Sequence, residues 1–329
     1  MGFKIARTKT LYIIIFFFGA LFQLSLLWSF LGKQVNLKRK SKTNFCFRRA
    51  RDLNLTKNML YSWEWHTNSH LKEKDNDKFH VVTYFAMVAS SFNRLNMRIN
   101  KLHIPSQIQY EDRQREIENT LQNNLNNPLI TNVHIIIYDL GAAQHLANLS
   151  LKNSSKLVLH LTCDDPSVES TFEYIQRCLM NKTIIIMHMD ISLGTGWDLI
   201  KNYVLKLKVM YALTRHSISN STFCDATNYG TCDFNSTYSG SHDAFVFHMK
   251  KKFDDNIMND LDQFKPTNEG SENVLIWHFI NTMGYKVLNP CRKVIIYHNH
   301  CIPIRSIERT RVDRAIRKTG LAPFTDQLF

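Results

Sequence analysis

The chain has 329 residues, of which 44% are hydrophobic, and a formal net charge of +13. That is enough chain for a large core once its first segment is set aside. Its seven cysteines include no Cys-x-x-Cys pair, which argues against a structural zinc site. Its Lys and Arg are spread out rather than interleaved with aromatics. That argues against nucleic acid and leaves a basic luminal protein or one that meets an anionic ligand or a membrane surface.

Residues 11–31 carry no charge and are rich in Ile, Phe and Leu. At about 1.5 Å rise per residue they can cross a hydrocarbon core of roughly 30 Å. With no small-x-small cleavage site behind them, they read as an uncleaved signal anchor after a short tail, 1–10. The downstream flank (Lys33, Lys38, Arg39, Lys40, Lys42) is basic, which by the positive-inside rule favours the opposite orientation. Asn-x-Ser/Thr sites at Asn54, Asn148, Asn153, Asn181, Asn220 and Asn235 all follow the anchor, where glycosylation requires the lumen. The expected placement is a single-pass Golgi or endoplasmic-reticulum membrane protein with a luminal body. Residues 32–76 are polar with no sustained period, as in a stem, with Trp63 and Trp65 as a small cap on the body.

Residues 80–85 give the first strong strand signal. In 111–126, Ile117, Leu121 and Leu125 recur every four residues, so a helix is expected to end before Pro128. Strands are expected at 133–138, 156–161, 184–189 and 209–214, and helices at 171–180 and 197–207. The alternation argues a mostly parallel sheet covered on both faces, whose ligands bind beyond the carboxyl ends of strands. Asp190 directly follows a strand. His188, inside an apolar run, is expected to be a core histidine. Residues 217–240 read as a surface loop, 243–249 as a strand, and 309–318 as a short helix. Cysteine spacing offers two loops, Cys224–Cys232 and Cys291–Cys301. It leaves Cys46 as the odd thiol, available to link two chains as a homodimer.

Residues 268–300 concentrate the chemistry. Leu275, Ile276, Phe279, Ile280 and Met283 form one helical face. Ser271 is placed to cap the start, and Gly284 sits where a left-handed cap ends it. Glu272 stands in the first turn. A short strand follows at 285–288, then a β-rich run at 294–297, then His298 and His300. Trp277 is expected to pack rather than stack on a sugar.

In order, these pieces resemble a nucleotide-sugar-dependent glycosyltransferase with the GT-A fold, over roughly 78–302. The resemblance rests on a helix with Arg115 and Glu118 running to Pro128, on Met187-His188-Met189-Asp190-Ile191 as a shortened Asp-x-Asp motif, and on Tyr211 to Arg215. It rests further on Ser241-His242-Asp243-Ala244-Phe245-Val246-Phe247, and on Gly270 through Glu272, Gly284-Tyr285 and Asn289-Pro290 to His298 and His300. It implies a GT-A-like catalytic domain at 77–302 with a tail at 303–329. A divalent cation, Mn or Mg, would be held by Asp190 and His300, with His298 as the alternate ligand. Asp190 and Arg215 would meet the nucleotide-sugar donor. Glu272 would remove the proton from an acceptor hydroxyl on a glycan, glycoprotein or glycolipid in inverting transfer, and Asp243 would line the pocket. His188 stands where the motif places its other Asp, and Gly194 and Gly196 replace acidic and bulky residues. A catalytically inactive luminal binding or scaffold protein is therefore the competing reading. No Gly-rich phosphate loop follows the first strand, which sets a sulfotransferase aside.

Overall fold

A computed structural model of the protein describes residues 78–88, 97–99, 104–162, 167–217, 232, 241–266, 268–302, 304–306, 310–313 and 315–329. The expected tail, anchor and stem, Cys46, Cys224 and nearly all of the 217–240 loop lie outside the described residues. Among the described residues, no helix is long and apolar enough to cross a membrane.

The strands are β1 Phe79–Tyr84, β2 Met97–Ile99, β3 Ile130–Ile137, β4 Leu157–Leu161, β5 Thr183–Met187, β6 Ile191–Leu193, β7 Val209–Leu213, β8 His216–Ser217, β9 Ala244–His248, β10 Lys286–Leu288, β11 Ile296–His298 and β12 Ile304–Ser306. The helices are α1 Gln107–Asn126, α2 Leu140–Asn148, α3 Val168–Cys178, α4 Asn202–Leu205, α5 Asp255–Leu261 and α6 Ser271–Asn281. Seven strands form the central sheet in the order β10-β7-β9-β5-β1-β3-β4. The sheet is mixed: β9 runs antiparallel to both β5 and β7, and the other pairs are parallel. An antiparallel neighbour needs no crossover helix, so β9 can return directly alongside β7 after the long loop.

Side chains alternate between the two faces. In β5, Ile185 and Met187 join the core with α1 and α2, whereas Ile184 joins the core with α3, α5 and α6. In β9, Val246 faces the first core and Phe245 and Phe247 the second. Because both faces are covered, these strands read as continuous apolar runs. Phe172, Phe253, Phe247 and Phe279 stack and tilt against one another, docking α3 and α6 on the same side. A second sheet, β6-β11-β8, sits at the carboxyl end of β5 and carries the histidine segment.

Several expectations are corrected. The 197–207 helix is instead a 3-10 turn at Trp197–Leu199 and the four-residue α4. Ile200 and Lys201 are extended between them, which breaks the hydrogen-bond ladder. Gly196, at φ 84°, begins the turn, and a Cβ there would stand 1.8 Å from the Lys293 carbonyl. In 309–318, residues 310–312 run extended beside Glu269 and no helix is present among the described residues. The tail then hangs on backbone bonds from Gly320 to Asn273 and from Asn289 to Pro323. Helices α2 and α5 are short and were not expected. Gly270, left-handed at φ 94°, is the residue that begins α6, and Ser271 lies inside the first turn. Gly284 is left-handed as expected, and of the predicted α6 face only Ile280 is exposed. His188 is exposed rather than core, because β5 ends at Met187 and leaves it on the rim. The disulfide is Cys232–Cys291, closing 59 residues, which excludes both predicted pairings. Cys178 is the free cysteine among the described residues.

Candidate functional site

Asp190 leaves the carboxyl end of β5, and its backbone is gripped from two sides. The Asn299 N–H donates to the Asp190 carbonyl at 2.7 Å. Beside it, the Asn124 amide of α1 donates to the Ile191 carbonyl at 2.9 Å, fixing the first residue of β6. The antiparallel pair β6–β11 sets Ile191 opposite His298. This pairing brings a histidine 108 positions away onto the carboxylate.

Three groups meet Asp190 Oδ2. Arg113 Nη2 lies at 2.5 Å, His298 Nε2 at 3.1 Å and His300 Nδ1 at 3.4 Å. Burial works to raise the Asp190 pKa, but His298, through its charge and its hydrogen bond, and the Arg113 guanidinium outweigh it, holding the carboxyl well below its usual range. The other Arg113 nitrogen, Nη1, donates to Glu116 Oε2 at 2.9 Å and to the Asn299 carbonyl at 2.7 Å. Glu116 Oε1 in turn accepts from the backbone N–H groups of Cys301 and Ile302. One turn of α1 therefore clamps both the carboxylate and the loop that carries the histidines.

Asp190, His298 and His300 each offer a ligand atom, and these atoms lie within 4.8 Å of one another. His300 tests whether a cation fits. Its Nε2 stands 3.1 Å from the Ile304 carbonyl, which can only accept, so that nitrogen carries the hydrogen. Burial lowers the His300 pKa to about 4 against the pull of Asp190, so the ring is neutral near pH 7. Nδ1 then presents a bare lone pair to a carboxylate oxygen. Two lone pairs at that distance repel, and a shared cation removes the repulsion. A ring N–H held by a backbone carbonyl is also the usual support of a metal-bound histidine. One carboxylate and two imidazoles suit Mn better than Mg, which prefers oxygen alone.

A cleft of about 530 Å³, counting space open to solvent, lies at the same end of the sheet. Its walls include Tyr84, Phe172, Phe245, His188, Asp243 and Glu272. The His188 N–H reaches the Asp243 carbonyl at 3.4 Å, so the 188–190 turn joins cleft and carboxylate cluster. Glu272 Oε2 accepts from the Gly270 N–H at 2.8 Å, which orients the carboxylate at the start of α6. Asp243 is held by Arg215: Nη1 donates to Oδ1 at 2.8 Å, and the Ser241 hydroxyl donates to Oδ2.

The sequence matches no protein-family model and no curated protein. Among solved structures, similarity is found to a proposed nucleotide-diphospho-sugar transferase from Desulfovibrio desulfuricans G20, at 9% identity and a TM-score of 0.38, covering 64% of this chain and 78% of that one. HddC from Yersinia pseudotuberculosis is similar at 10% identity and TM-score 0.32, covering 66% and 92%. A cytidylyltransferase from Leptospira borgpetersenii serovar Hardjo-bovis is similar at 10% identity and TM-score 0.29, covering 64% and 74%. At these values the likenesses carry no argument about residues, and roles rest on the geometry of this chain.

The structure gathers Asp190, His298 and His300 in one cluster and Asp243 and Glu272 around one cleft. Arg215 sits with Asp243 rather than with Asp190. Trp277 lies half-buried beneath the Lys318 ammonium, 4.8 Å from its ring centre, and does not line the cleft. Arg113, Glu116 and Asn124 were missed. The α1 residues singled out by resemblance turn away: Arg115 pairs with Asp112 on the surface, and Glu118 meets His145. A signal existed. Arg113 falls four residues before Ile117, on the apolar stripe that runs to Leu121 and Leu125, and a charge on a buried stripe needs a buried partner.

Proposed function

We propose that the protein is a glycosyltransferase that moves a sugar from a nucleotide-sugar donor to an acceptor hydroxyl, with a divalent metal at Asp190, His298 and His300. The observation that carries this reading is the convergence of those three side chains at the carboxyl end of β5, joined through His188 to a cleft bearing Glu272 and Asp243. Asp190, His298 and His300 would hold the metal, which would supply Lewis-acid stabilisation of a diphosphate leaving group.

The protein's own residues do the rest. Arg113 keeps Asp190 ionised, and the Ile304 carbonyl keeps the hydrogen of His300 on Nε2, so Nδ1 faces the cluster. Glu272 takes the proton from the acceptor hydroxyl as its oxygen attacks the sugar. The Gly270 N–H holds one oxygen of that carboxylate while the other receives the proton. Arg215 braces Asp243 in the cleft wall. Apolar side chains such as Phe172 and Phe245 narrow access for bulk water.

The test is nucleoside diphosphate release by the purified protein with a panel of nucleotide sugars, with and without Mn. Asp190→Asn is expected to remove metal dependence and donor binding together; both persisting unchanged sinks the reading. A second reading is a catalytically inactive binding protein. It is favoured by Arg113, a fixed cation already bonded to Asp190 Oδ2. Nucleotide-sugar binding that is indifferent to metal, with no turnover for any donor, selects it.

A further inference from the structure

Lysines that are far apart in sequence come together at the amino end of the sheet. Lys78 precedes β1, Lys156 precedes β4 and Lys182 precedes β5. Lys206 and Lys208 precede β7, and Lys286 opens β10. β9 runs the other way, so its trailing residue Lys250, followed by Lys251 and Lys252, lands at the same end. The cluster is physical and not only topological. Lys182, Lys206 and Lys250 all act on His248 strongly enough to help burial lower its pKa to about 4. Lys78 likewise adds to burial in lowering the pKa of Lys156. The carboxylates nearest along the chain are Asp77, directly before Lys78, and Asp254 and Asp255, which begin α5 just after Lys250 to Lys252.

Two large apolar side chains stand among these charges. Leu207, between Lys206 and Lys208, is 73% exposed, and Tyr203, one turn earlier, is 66% exposed. Lysines around exposed Leu and Tyr suit a headgroup region, where ammonium groups meet phosphates and apolar tips enter the acyl boundary. A soluble polyanion has no use for the Leu.

We infer that this lysine-rimmed face rests on an anionic lipid bilayer, with the Asp190 end of the sheet pointing away from it. The inference is independent of the chemistry at that far end, and it requires the orientation that the basic flank after residue 31 favours, with the body on the cytosolic side where the leaflet is anionic. Each lysine near the surface contributes about fivefold to partitioning, and salt screens it.

The test uses the full chain reconstituted in nanodiscs of phosphatidylcholine alone or with about 30% phosphatidylserine, a composition chosen to give a strongly negative surface. Backbone hydrogen exchange at 206–208 and 249–252 is expected to slow about tenfold in the anionic discs only. High salt reverses it, as does the combined Lys182→Gln, Lys206→Gln, Lys250→Gln and Lys251→Gln variant, which keeps the wild-type melting temperature. Leu207→Ser is expected to weaken protection with its salt dependence intact. Equal exchange in both lipids overturns the inference. So does protection by soluble heparin but not by anionic discs. N-linked glycan on Asn153 or Asn181 in the native protein also overturns it. Both residues are exposed at this end, and a glycan there would hold the face off any bilayer.

Discussion

At the carboxyl end of β5, Arg113 and His298 donate to one oxygen of Asp190, and Glu116 holds the loop that brings His300 in. At the amino end of the same strand, Lys182 stands near Lys206 and Lys250, groups that repel one another. The first region gathers unlike charges, buries them and pairs the carboxylates with groups of the chain itself. The second gathers like charges and leaves them in water. The difference separates two kinds of demand. A buried cluster of opposite sign is a self-consistent scaffold that can accept one more cation. A like-charged rim lowers its energy only through screening or an external anion.

The sharpest way to break the comparison is to unbalance the buried end. Asp190→Ala leaves the Arg113 guanidinium with Glu116 as its one remaining charged partner beside the Asn299 carbonyl. Removing one partner of a buried ion pair costs about 3–5 kcal/mol, and denaturant unfolding should read a loss near the low end of that range. Metal binding, followed by calorimetry, should disappear in the same variant. An unchanged unfolding midpoint would mean that Asp190 is not the centre of the cluster.

Glu272→Gln keeps the bond from the Gly270 N–H and removes the base. Transfer is expected to fall about 10²–10⁴-fold, the usual contribution of general base catalysis, with little change in stability. Near-wild-type transfer would leave Glu272 a structural residue at the start of α6.

Acid loads the buried end of the sheet through two groups. Burial lowers the His242 pKa to about 4, against the pull of the neighbouring Asp243, from an ordinary 6.5. Between those values the unfolded chain binds a proton that the folded chain refuses. Stability therefore falls as pH falls from 6.5 toward 4. Asp190 acts in the same sense lower down. Its depressed pKa contributes stability that is present above 3.8 and lost as pH falls through the folded value. Melting temperature against pH should show the decline, and His242→Leu should flatten its upper part.

The smallest effect sharpens the contrast most. His248 is lowered by burial and then by three lysines, so raising salt should move its titration midpoint upward in NMR spectra. The midpoint of His242, set by burial first, should stay nearly still. Equal movement of both would deny the lysine rim its special character.

Much of the sheet was legible in the sequence. Continuous apolar runs at 184–189 and 209–214 mark strands wherever they are placed, because burial on both faces admits nothing else. Short elements were not legible. α4 and α5 carry too few turns to show a period, and an isolated helix of that length draws its stability from packing. The expected 197–207 helix failed because Gly196 and the extended Ile200 and Lys201 obey local backbone geometry that apolar spacing does not encode. Pairing of Cys232 with Cys291 was invisible for another reason: proximity across 59 residues is set by where β8 and β11 run.

By itself the sequence determined the seven strands of the central sheet, the long amphipathic α1, the acid at the start of α6, and Asp190 after a strand with two histidines far downstream. Each follows from a period or a neighbour within a few residues. Only the tertiary structure decided that Arg113 and Glu116, not Arg115 and Glu118, serve the site, and that scattered lysines share one rim. Those facts depend on which helical face meets the sheet and on strand direction, and both are fixed by burying apolar area from the whole chain at once.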